Sequence, residues 1–250
     1  IECSNKVTTV SPSYANEILD PWYSHGLDTI LRERQWKLQG ILNGIDYSYY
    51  NPWTDPVIAK HYSAKRRGGK DACRTALRAD LNLADEKGTP VIALITRLAS
   101  HKGLDIVAEA MRGILDESGA QLVVLGKGEA KYEEFFKQLE AEYPEKVRAL
   151  ITYDRDLSKR IYAAADIFMM PSKSEPCGLS QMIASRYGAI PVVRETGGLA
   201  DSILPYWEDK EGEMHGNGFT FAGYTAGELY ERTLAAVALW KNGEKRKAFV

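Results

Sequence analysis

The stretch VIALITRLASHKGLDIVAEAMRGIL, which covers residues 91–115, decides the fold of this chain. It opens with VIALIT, a continuous apolar run that is typical of a β-strand buried on both faces. A polar connection follows. Apolar residues then recur at helical spacing, at Leu104, Val107, Ala108, Met111 and Leu115. This pattern predicts a strand joined to a helix, which is the building unit of a parallel sheet.

The same alternation of strand and helix continues along the chain. Further strands are predicted at residues 121–126, 147–153, 166–172 and 189–195, and further helices at residues 132–143, 157–165, 179–187 and 226–242. Right-handed crossovers place the loop after each parallel strand at one edge of the sheet, where open α/β sheets bind their ligands. The sequence therefore predicts an α/β fold with its functional residues in the loops that follow the strands.

The residues before this alternation show a different pattern. Residues 6–18 predict a strand, a Ser-Pro turn and a helix start, with Ser11 or Ser13 as the helix cap and Pro12 in the first turn. Residues 20–36 are predicted to be rich in loops. An Asn-Gly turn within residues 40–46 and the proline-bounded NPWTDP at residues 51–56 indicate a hinge between domains. Residues 60–83 predict a basic surface loop followed by a helix.

The composition of the chain excludes several classes of partner. Of 250 residues, 44% are hydrophobic. The 32 basic and 34 acidic residues give a net charge of −2, so the charge balance does not indicate binding to nucleic acid or to a membrane surface. No apolar run is long enough to predict a transmembrane helix. The cysteines Cys3, Cys73 and Cys177 are scattered, without a CxxC pair, which favours a reducing compartment.

Two cations follow the first long strand. Arg97 and Lys102 lie just before the helix start at Gly103, and cations beside a helix N-terminus suit the binding of an anion such as a diphosphate. Solvated surface cations are the alternative interpretation. His101, between them, is expected to serve packing or solubility.

The loops after the other strands add glycines, an aromatic ring and a carboxylate. GKGE at residues 126–129 is a glycine turn that allows a ligand to approach Gly126, although the third glycine of a dinucleotide motif is absent. Tyr153 is placed to stack on a base, or else packs at the rim. Glu175, in PSKSEPCGLSQ at residues 171–181, offers a carboxylate for hydroxyl groups, or else belongs to a polar loop. Gly197 and Gly198, in ETGGLADSI, are expected to expose backbone N–H groups, or else form a tight turn.

The chain resembles bacterial glycogen synthases and plant starch synthases in three motifs, which occur in the order TRLASHKGLD, PSKSEPCGLSQ and RETGGLADSI. The stretches TTVSPSYANEI and ILNGID resemble that family as well. The resemblance covers essentially the whole chain. It implies a retaining glycosyltransferase with two Rossmann-like domains (the GT-B fold), which transfers glucose from ADP-glucose to the non-reducing end of an α-1,4-glucan without a metal. It also implies that residues 1–39 are the end of the N-terminal, acceptor-side domain. Residues 40–250 would then be the doubly wound donor-binding domain, cut short at its C-terminus.

The resemblance also implies a role for individual residues. Arg97 and Lys102 are expected to hold the diphosphate and neutralise the leaving nucleotide, and Glu175 to act on the glucose at the reacting centre. The remaining residues implied in donor binding are Asn43, Gly126, Tyr153, Cys177, Gly178, Leu179, Ser180, Thr196, Gly197 and Gly198. Ser180 stands where the family often has Thr. Ile183 stands where many related enzymes carry a second Glu, which separates this chain from relatives that glycosylate sucrose or lipids.

Three functions stay open on the sequence alone. The first is the donor-binding half of an ADP-glucose-dependent glucan synthase, which binds nucleotide but is inactive without its other domain. The second is a glycosyltransferase with another acceptor or with UDP-glucose as donor. The third is a nucleotide-binding regulatory module without catalysis, which Glu175 argues against because a pure binder needs no carboxylate at the sugar. The expected location is the cytoplasm of a bacterium, or a plastid if the source is a plant.

Overall fold

The computed structural model describes all residues from 1 to 250, and a small N-terminal unit comes first. It consists of β1 (Val7–Thr9), α1 (Pro12–Glu17), α2 (Pro21–Ser24), α3 (Asp28–Glu33), a 3₁₀ turn (Gln35–Lys37) and β2 (Leu38–Gly40). β1 and β2 pair in parallel as a sheet of two strands. As predicted, Ser11 caps α1, where its Oγ accepts from the Tyr14 N–H at 2.9 Å, and Pro12 occupies the first turn. The prediction of loops over residues 20–36 is wrong, because α2 and α3 lie there.

A long connection without strands leads from β2 to α4 (Gly68–Asp80), so the basic segment predicted at residues 60–83 is a loop followed by a helix. The alternating region then runs β3 (Val91–Ile95), α5 (Leu104–Ser118), β4 (Gln121–Leu125), α6 (Ala130–Glu142), β5 (Val147–Leu150), α7 (Arg155–Ala164), β6 (Ile167–Met170), α8 (Ser180–Arg186), β7 (Ile190–Arg194) and α9 (Gly197–Ser202). The chain closes with a hairpin of β8 (Trp207–Glu208) and β9 (Met214–His215), then β10 (Phe219–Phe221), α10 (Ala226–Lys241) and α11 (Gly243–Phe249).

Six of the strands form one parallel sheet in the order β10-β7-β6-β3-β4-β5. Counted along the chain within this sheet, the order is 6-5-4-1-2-3, which is the strand order of the Rossmann fold. All five strands expected from the sequence are present, and β10 adds an edge strand that was not predicted. From β3 the chain adds β4 and β5 on one side of β3, and it then returns to add β6 on the other side. The point where the strand order reverses therefore lies between β3 and β6.

Helices cover both faces of the sheet, so the predicted doubly wound architecture is confirmed. Alternate residues of each strand point to opposite faces. Ile92 and Leu94 of β3 belong to a core of 29 buried residues with α5, α6 and α10, whereas Val91 and Ala93 belong to a core of 23 with α4, α7 and α8. This two-sided burial explains why VIALI is apolar throughout. None of the helices combines the length and the apolar composition needed to cross a bilayer.

The connection after β2 is fastened to the Rossmann-like domain. Ile58 and Tyr62 lie in the core beneath α4, and the buried carboxylate of Asp55 accepts from the Tyr187 hydroxyl and lies 3.3 Å from Lys159 Nζ. Removing only one partner of such a buried ion pair is costly, because the other charge then stays buried without a partner. The predicted domain boundary between residues 39 and 40 stays a prediction.

Candidate active site

The site is built at the reversal point of the strand order, where the loops after β3 and β6 begin side by side. Gly103, at the end of the β3 loop, has φ = +74°, and a Cβ atom there would lie 1.9 Å from the Pro171 carbonyl oxygen. The two loops therefore touch only because this position is glycine. Lys173 N–H also donates to the His101 carbonyl at 2.9 Å, which joins the loops a second time.

This contact brings Lys102 and Glu175 together. Lys102 Nζ lies 2.6 Å from Glu175 Oε2, and the Ser172 hydroxyl donates to the same oxygen at 2.9 Å. Glu175 is only 7% exposed. Both contacts use Oε2, which leaves Oε1 without a hydrogen bond to the protein. A buried carboxylate paired with a cation is held in a fixed orientation, and its free oxygen is available to a ligand.

Arg97 is exposed and lines a cavity of about 710 Å³, whose walls include neither Lys102 nor Glu175. This volume lies within the usual range for small-molecule sites. Of the predicted site residues, the cavity walls include Arg97, Gly126, Tyr153, Leu179 and Ser180. Sequence reasoning thus identified residues from four different loops that the fold assembles into one cavity.

The charged residues at this edge of the sheet affect the pKa of His101. Partial burial lowers the pKa of His101, and the positive charges of Lys102 and Arg97 lower it further, while Glu175 and Glu129 oppose the change. Lys102 and Arg97 thus lie close enough to His101 to act on its charge, and cations in a loop that precedes a helix suit the binding of an anion.

Tyr153 extends from the loop after β5 and is 83% exposed, so one face of its ring is open to a ligand. Ser180 and Tyr162 both line the cavity. Burial raises the pKa of Tyr162, and the neighbouring Ser180 partly offsets that effect. The phosphate contact expected of Ser180 stays a prediction.

Cys177, Gly178 and Leu179 form the turn between Glu175 and α8. Gly178 has φ = +68°, and the Gln181 side chain donates to the carbonyls of Cys177 at 3.2 Å and Gly178 at 2.9 Å. The backbone N–H groups of these three turn residues donate to no protein acceptor. The Cys177 side chain is buried, and its expected contribution through the backbone N–H stays a prediction.

The turn of Thr196, Gly197 and Gly198 does not expose its N–H groups, and this expectation is wrong. Gly197 N–H donates to Glu17 Oε1 at 2.7 Å, and Gly198 N–H donates to the Glu175 carbonyl at 3.1 Å. All three turn residues are buried. The turn lies against the backbone of Glu175 and outside the cavity walls, so its role in donor binding stays a prediction.

Asn43 is exposed in the connection after β2 and does not line the cavity, so the structure does not bring it to the other predicted residues.

Sequence reasoning missed several wall residues. Lys127 lies in the loop after β4, and Asp154 and Arg155 lie where the loop after β5 meets α7, so the rule that selected Arg97 would have found them. Tyr50 reaches the cavity from the distant connection, and no local pattern indicates this.

No predicted site residue belongs to a potential metal site. Asp209, Glu213 and His215 have ligand atoms within 4.8 Å of one another, but they lie on the hairpin of β8 and β9. The cation paired with Glu175 is Lys102.

Comparison with known proteins gives consistent matches along the chain. Residues 77–249 match the family model of the glycosyl transferases group 1, and residues 1–33 match that of the starch synthase catalytic domain. The chain is 48% identical over 244 residues to the glycogen synthase of Clostridium beijerinckii, covering 98% of this chain and 50% of that protein. It is 44% identical over 248 residues to the glycogen synthase of Bacillus subtilis, covering 97% of this chain and 51% of that protein.

Among solved structures, the catalytic domain of starch synthase IV from Arabidopsis thaliana, bound to ADP and acarbose, superposes with a TM-score of 0.90 at 39% identity. The superposition covers 98% of this chain and 50% of that one. The chain spans about half the length of the curated relatives that it matches. The chain therefore belongs to the family of group 1 glycosyl transferases, together with the glycogen and starch synthases that it matches along nearly its whole length.

Proposed function

We propose that this chain is the donor-binding half of a glucan synthase, which transfers glucose from ADP-glucose to the non-reducing end of an α-1,4-glucan with retention of configuration. The observation that carries the proposal is the ion pair of Lys102 and Glu175 on the loops after β3 and β6, the two loops that also contribute Arg97 and Leu179 to the walls of a nucleotide-sized cavity. The glycogen synthase relatives support the reaction, and the ADP and acarbose bound to starch synthase IV support the choice of donor base and acceptor.

The order of the binding side chains along the carboxyl edge of the sheet sets the orientation of the bound ADP-glucose. Tyr153 stacks on the base at one end of the cavity, and Arg97 meets the diphosphate at the other end. Lys102 then lies between the diphosphate and Glu175. The glucose lies over the turn of residues 177–179, whose free N–H groups donate to its hydroxyls or to the phosphate.

The chemistry is electrostatic stabilisation of charges that develop as the bond between glucose and phosphate breaks. The leaving ADP gains negative charge, which Arg97 and Lys102 offset. The sugar gains positive charge, which the carboxylate of Glu175 offsets. These side-chain cations provide the charge that a metal ion provides in other phosphate sites, so we propose that the reaction needs no metal.

The second half of the active site comes from the acceptor-side domain. Without it, the glucan is not positioned and water is not excluded, so the 250-residue chain alone binds nucleotide without turnover. We further propose a location in a bacterial cytoplasm, in keeping with the bacterial sources of the curated relatives.

Nucleotide titration tests the proposal directly. ADP is expected to raise the melting temperature of the chain by mass action and to bind more tightly than UDP in calorimetry. A melting temperature that does not change at millimolar ADP would contradict a donor site here. Tighter binding of UDP would assign the other donor. Binding of ADP without glucose transfer by the complete two-domain enzyme would favour a regulatory module.

A further inference from the structure

Helix α1 of the N-terminal unit ends in a carboxylate that holds a turn of the Rossmann-like domain. Glu17 Oε1 accepts from the Gly197 N–H at 2.7 Å and from the Thr196 hydroxyl at 3.0 Å. Thr196 is 1% exposed and Glu17 is half-buried, so this contact lies at the border of the protein interior. Hydrogen bonds to a charged acceptor are stronger than neutral ones. Glu17 thus fixes the position of the turn that opens α9.

The same turn is packed against the backbone of the candidate catalytic loop without free space. Gly198 N–H donates to the carbonyls of Glu175 at 3.1 Å and Pro176 at 3.2 Å. A Cβ atom on Gly197 would lie 2.1 Å from the Glu175 carbonyl oxygen, and one on Gly198 would lie 2.2 Å from the Cys177 carbonyl oxygen. Backbones in such contact do not move independently, so a shift of the turn displaces the main chain of Glu175.

A second contact links the N-terminal unit to the same loop. Lys173, two positions before Glu175, places its Nζ 4.6 Å from the ring centre of Trp22 in α2. A cation over an aromatic face is attracted to it. The N-terminal unit thus contacts the Glu175 loop directly through Trp22 and indirectly through the turn that Glu17 holds.

We propose that Glu17 is a positioning residue for Glu175, acting through the turn of residues 196–198. This inference rests on the proposed glucosyl transfer. Glu17 does not line the cavity that receives the nucleotide, and neither does the turn it holds. Loss of the Glu17 carboxylate is therefore expected to misplace the reacting carboxylate while leaving nucleotide affinity nearly unchanged.

The test uses three variants of the complete two-domain enzyme. Glu17→Ala removes both hydrogen bonds, and Glu17→Gln retains an oxygen that accepts from Gly197. Ser13→Ala is the matched control, because Ser13 Oγ donates to Asp201 at 2.6 Å across the same contact of α1 with α9 without reaching the turn. kcat and KM for ADP-glucose, the Kd for ADP and the melting temperature are measured for each.

Glu17→Ala is expected to lower kcat on the order of tenfold to a hundredfold, as displaced catalytic groups do. KM and the Kd for ADP are expected to change by no more than about twofold, and Glu17→Gln is expected to recover part of kcat. Ser13→Ala is expected to retain the wild-type kcat. A kcat of Glu17→Ala equal to that of wild type, or an equal loss in Ser13→Ala, overturns the inference.

If Glu17→Ala does not fold, the comparison of Glu17→Gln with Ser13→Ala decides. A lower kcat in Glu17→Gln at a similar melting temperature supports the positioning role, and equal values of kcat refute it. Failure of the proposed function is recognised separately, because the wild-type enzyme would then transfer no glucose from ADP-glucose.

Discussion

Lys102 Nζ and Glu175 Oε2 lie 2.6 Å apart, although 73 positions separate the two residues in sequence. Their loops meet because β3 and β6 are neighbours at the point where the strand order reverses. The pair places one positive and one negative charge next to each other on the loops that also contribute Arg97 and Leu179 to the cavity walls. In the proposed reaction, each charge faces the product of bond cleavage that it stabilises.

Replacement of Lys102 by Ala is expected to weaken ADP binding by about tenfold, because a charge-assisted contact with the diphosphate is lost. Calorimetry on the purified chain measures the Kd. Lys131→Ala is the control, since the Lys131 side chain is 62% exposed and lies outside the cavity walls. An unchanged Kd in Lys102→Ala would reduce Lys102 to a structural partner of Glu175.

Glu175→Gln should lower kcat of the complete enzyme by about a hundredfold or more, because a neutral amide does not stabilise positive charge on the sugar. The Kd for ADP should change by only a few-fold, since the carboxylate faces the sugar and not the nucleotide. Incorporation of labelled glucose into glycogen measures kcat. A variant that turns over at the wild-type rate would remove Glu175 from the chemistry.

Tyr153→Ala should weaken ADP binding roughly tenfold, in line with the ~1–3 kcal/mol of base–aromatic stacking. Tyr153→Phe is the matched control and should bind like wild type, because stacking uses the ring and not the hydroxyl. Titration of ADP into both variants makes the comparison. Equal affinities for ADP would show that the exposed ring does not contact the base.

The pKa of His101 should lie below its ordinary value in the free protein and rise when ADP binds, because the diphosphate offsets the charges of Lys102 and Arg97. The unfolded chain takes up this proton at a higher pH than the folded one, so the stability contributed by neutral His101 is lost as pH falls below about 6.5. An NMR titration of the imidazole measures the pKa, and His101→Gln identifies its signal. A pKa that ADP does not raise would place the diphosphate elsewhere.

Gly198→Ala should destabilise the chain by ~1–3 kcal/mol, because the new Cβ would lie 2.2 Å from the Cys177 carbonyl oxygen. Gly227→Ala in α10 is the matched control. No atom lies within 4 Å of its added Cβ, so the change should be neutral or stabilising by up to about 1 kcal/mol. Thermal unfolding compares the two. Equal melting temperatures would mean that the turn can move away from the Glu175 loop.

Most of the sheet could be predicted because its inner strands are buried on both faces, which forces continuous apolar runs such as VIALI and IFMM. β10 escaped prediction because Phe219–Phe221 is too short to show a pattern, and its pairing with β7 makes it a strand. The helices α2 and α3, of four and six residues, are also too short to show a helical pattern. Asp20 caps α2 through the Trp22 N–H at 2.8 Å, a signal that the loop-like composition around it obscured.

The site was predictable to the extent that its residues follow strands. Arg97, Gly126, Tyr153 and Glu175 all do, and parallel topology brings such positions to one edge. Tyr50 and Glu17 approach from the connection and the N-terminal unit, so their places depend on long-range contacts that no local spacing encodes. The turn at Gly197 was misjudged for the same reason, because its partner Glu17 lies 180 positions away.

The contact of α1 with α9 also bears on how such enzymes can be recombined. A crossover between related sequences at residue 40, where the family resemblance implies a domain boundary, would replace both Glu17 and Ser13 while retaining Thr196, Gly197 and Asp201. If the two parent sequences differ at these positions, the hybrid would lack the matching hydrogen bonds between α1 and the segment of residues 196–201. A crossover placed before β1 at Val7 keeps the whole set within one parent, so the unit of exchange is larger than the Rossmann-like domain.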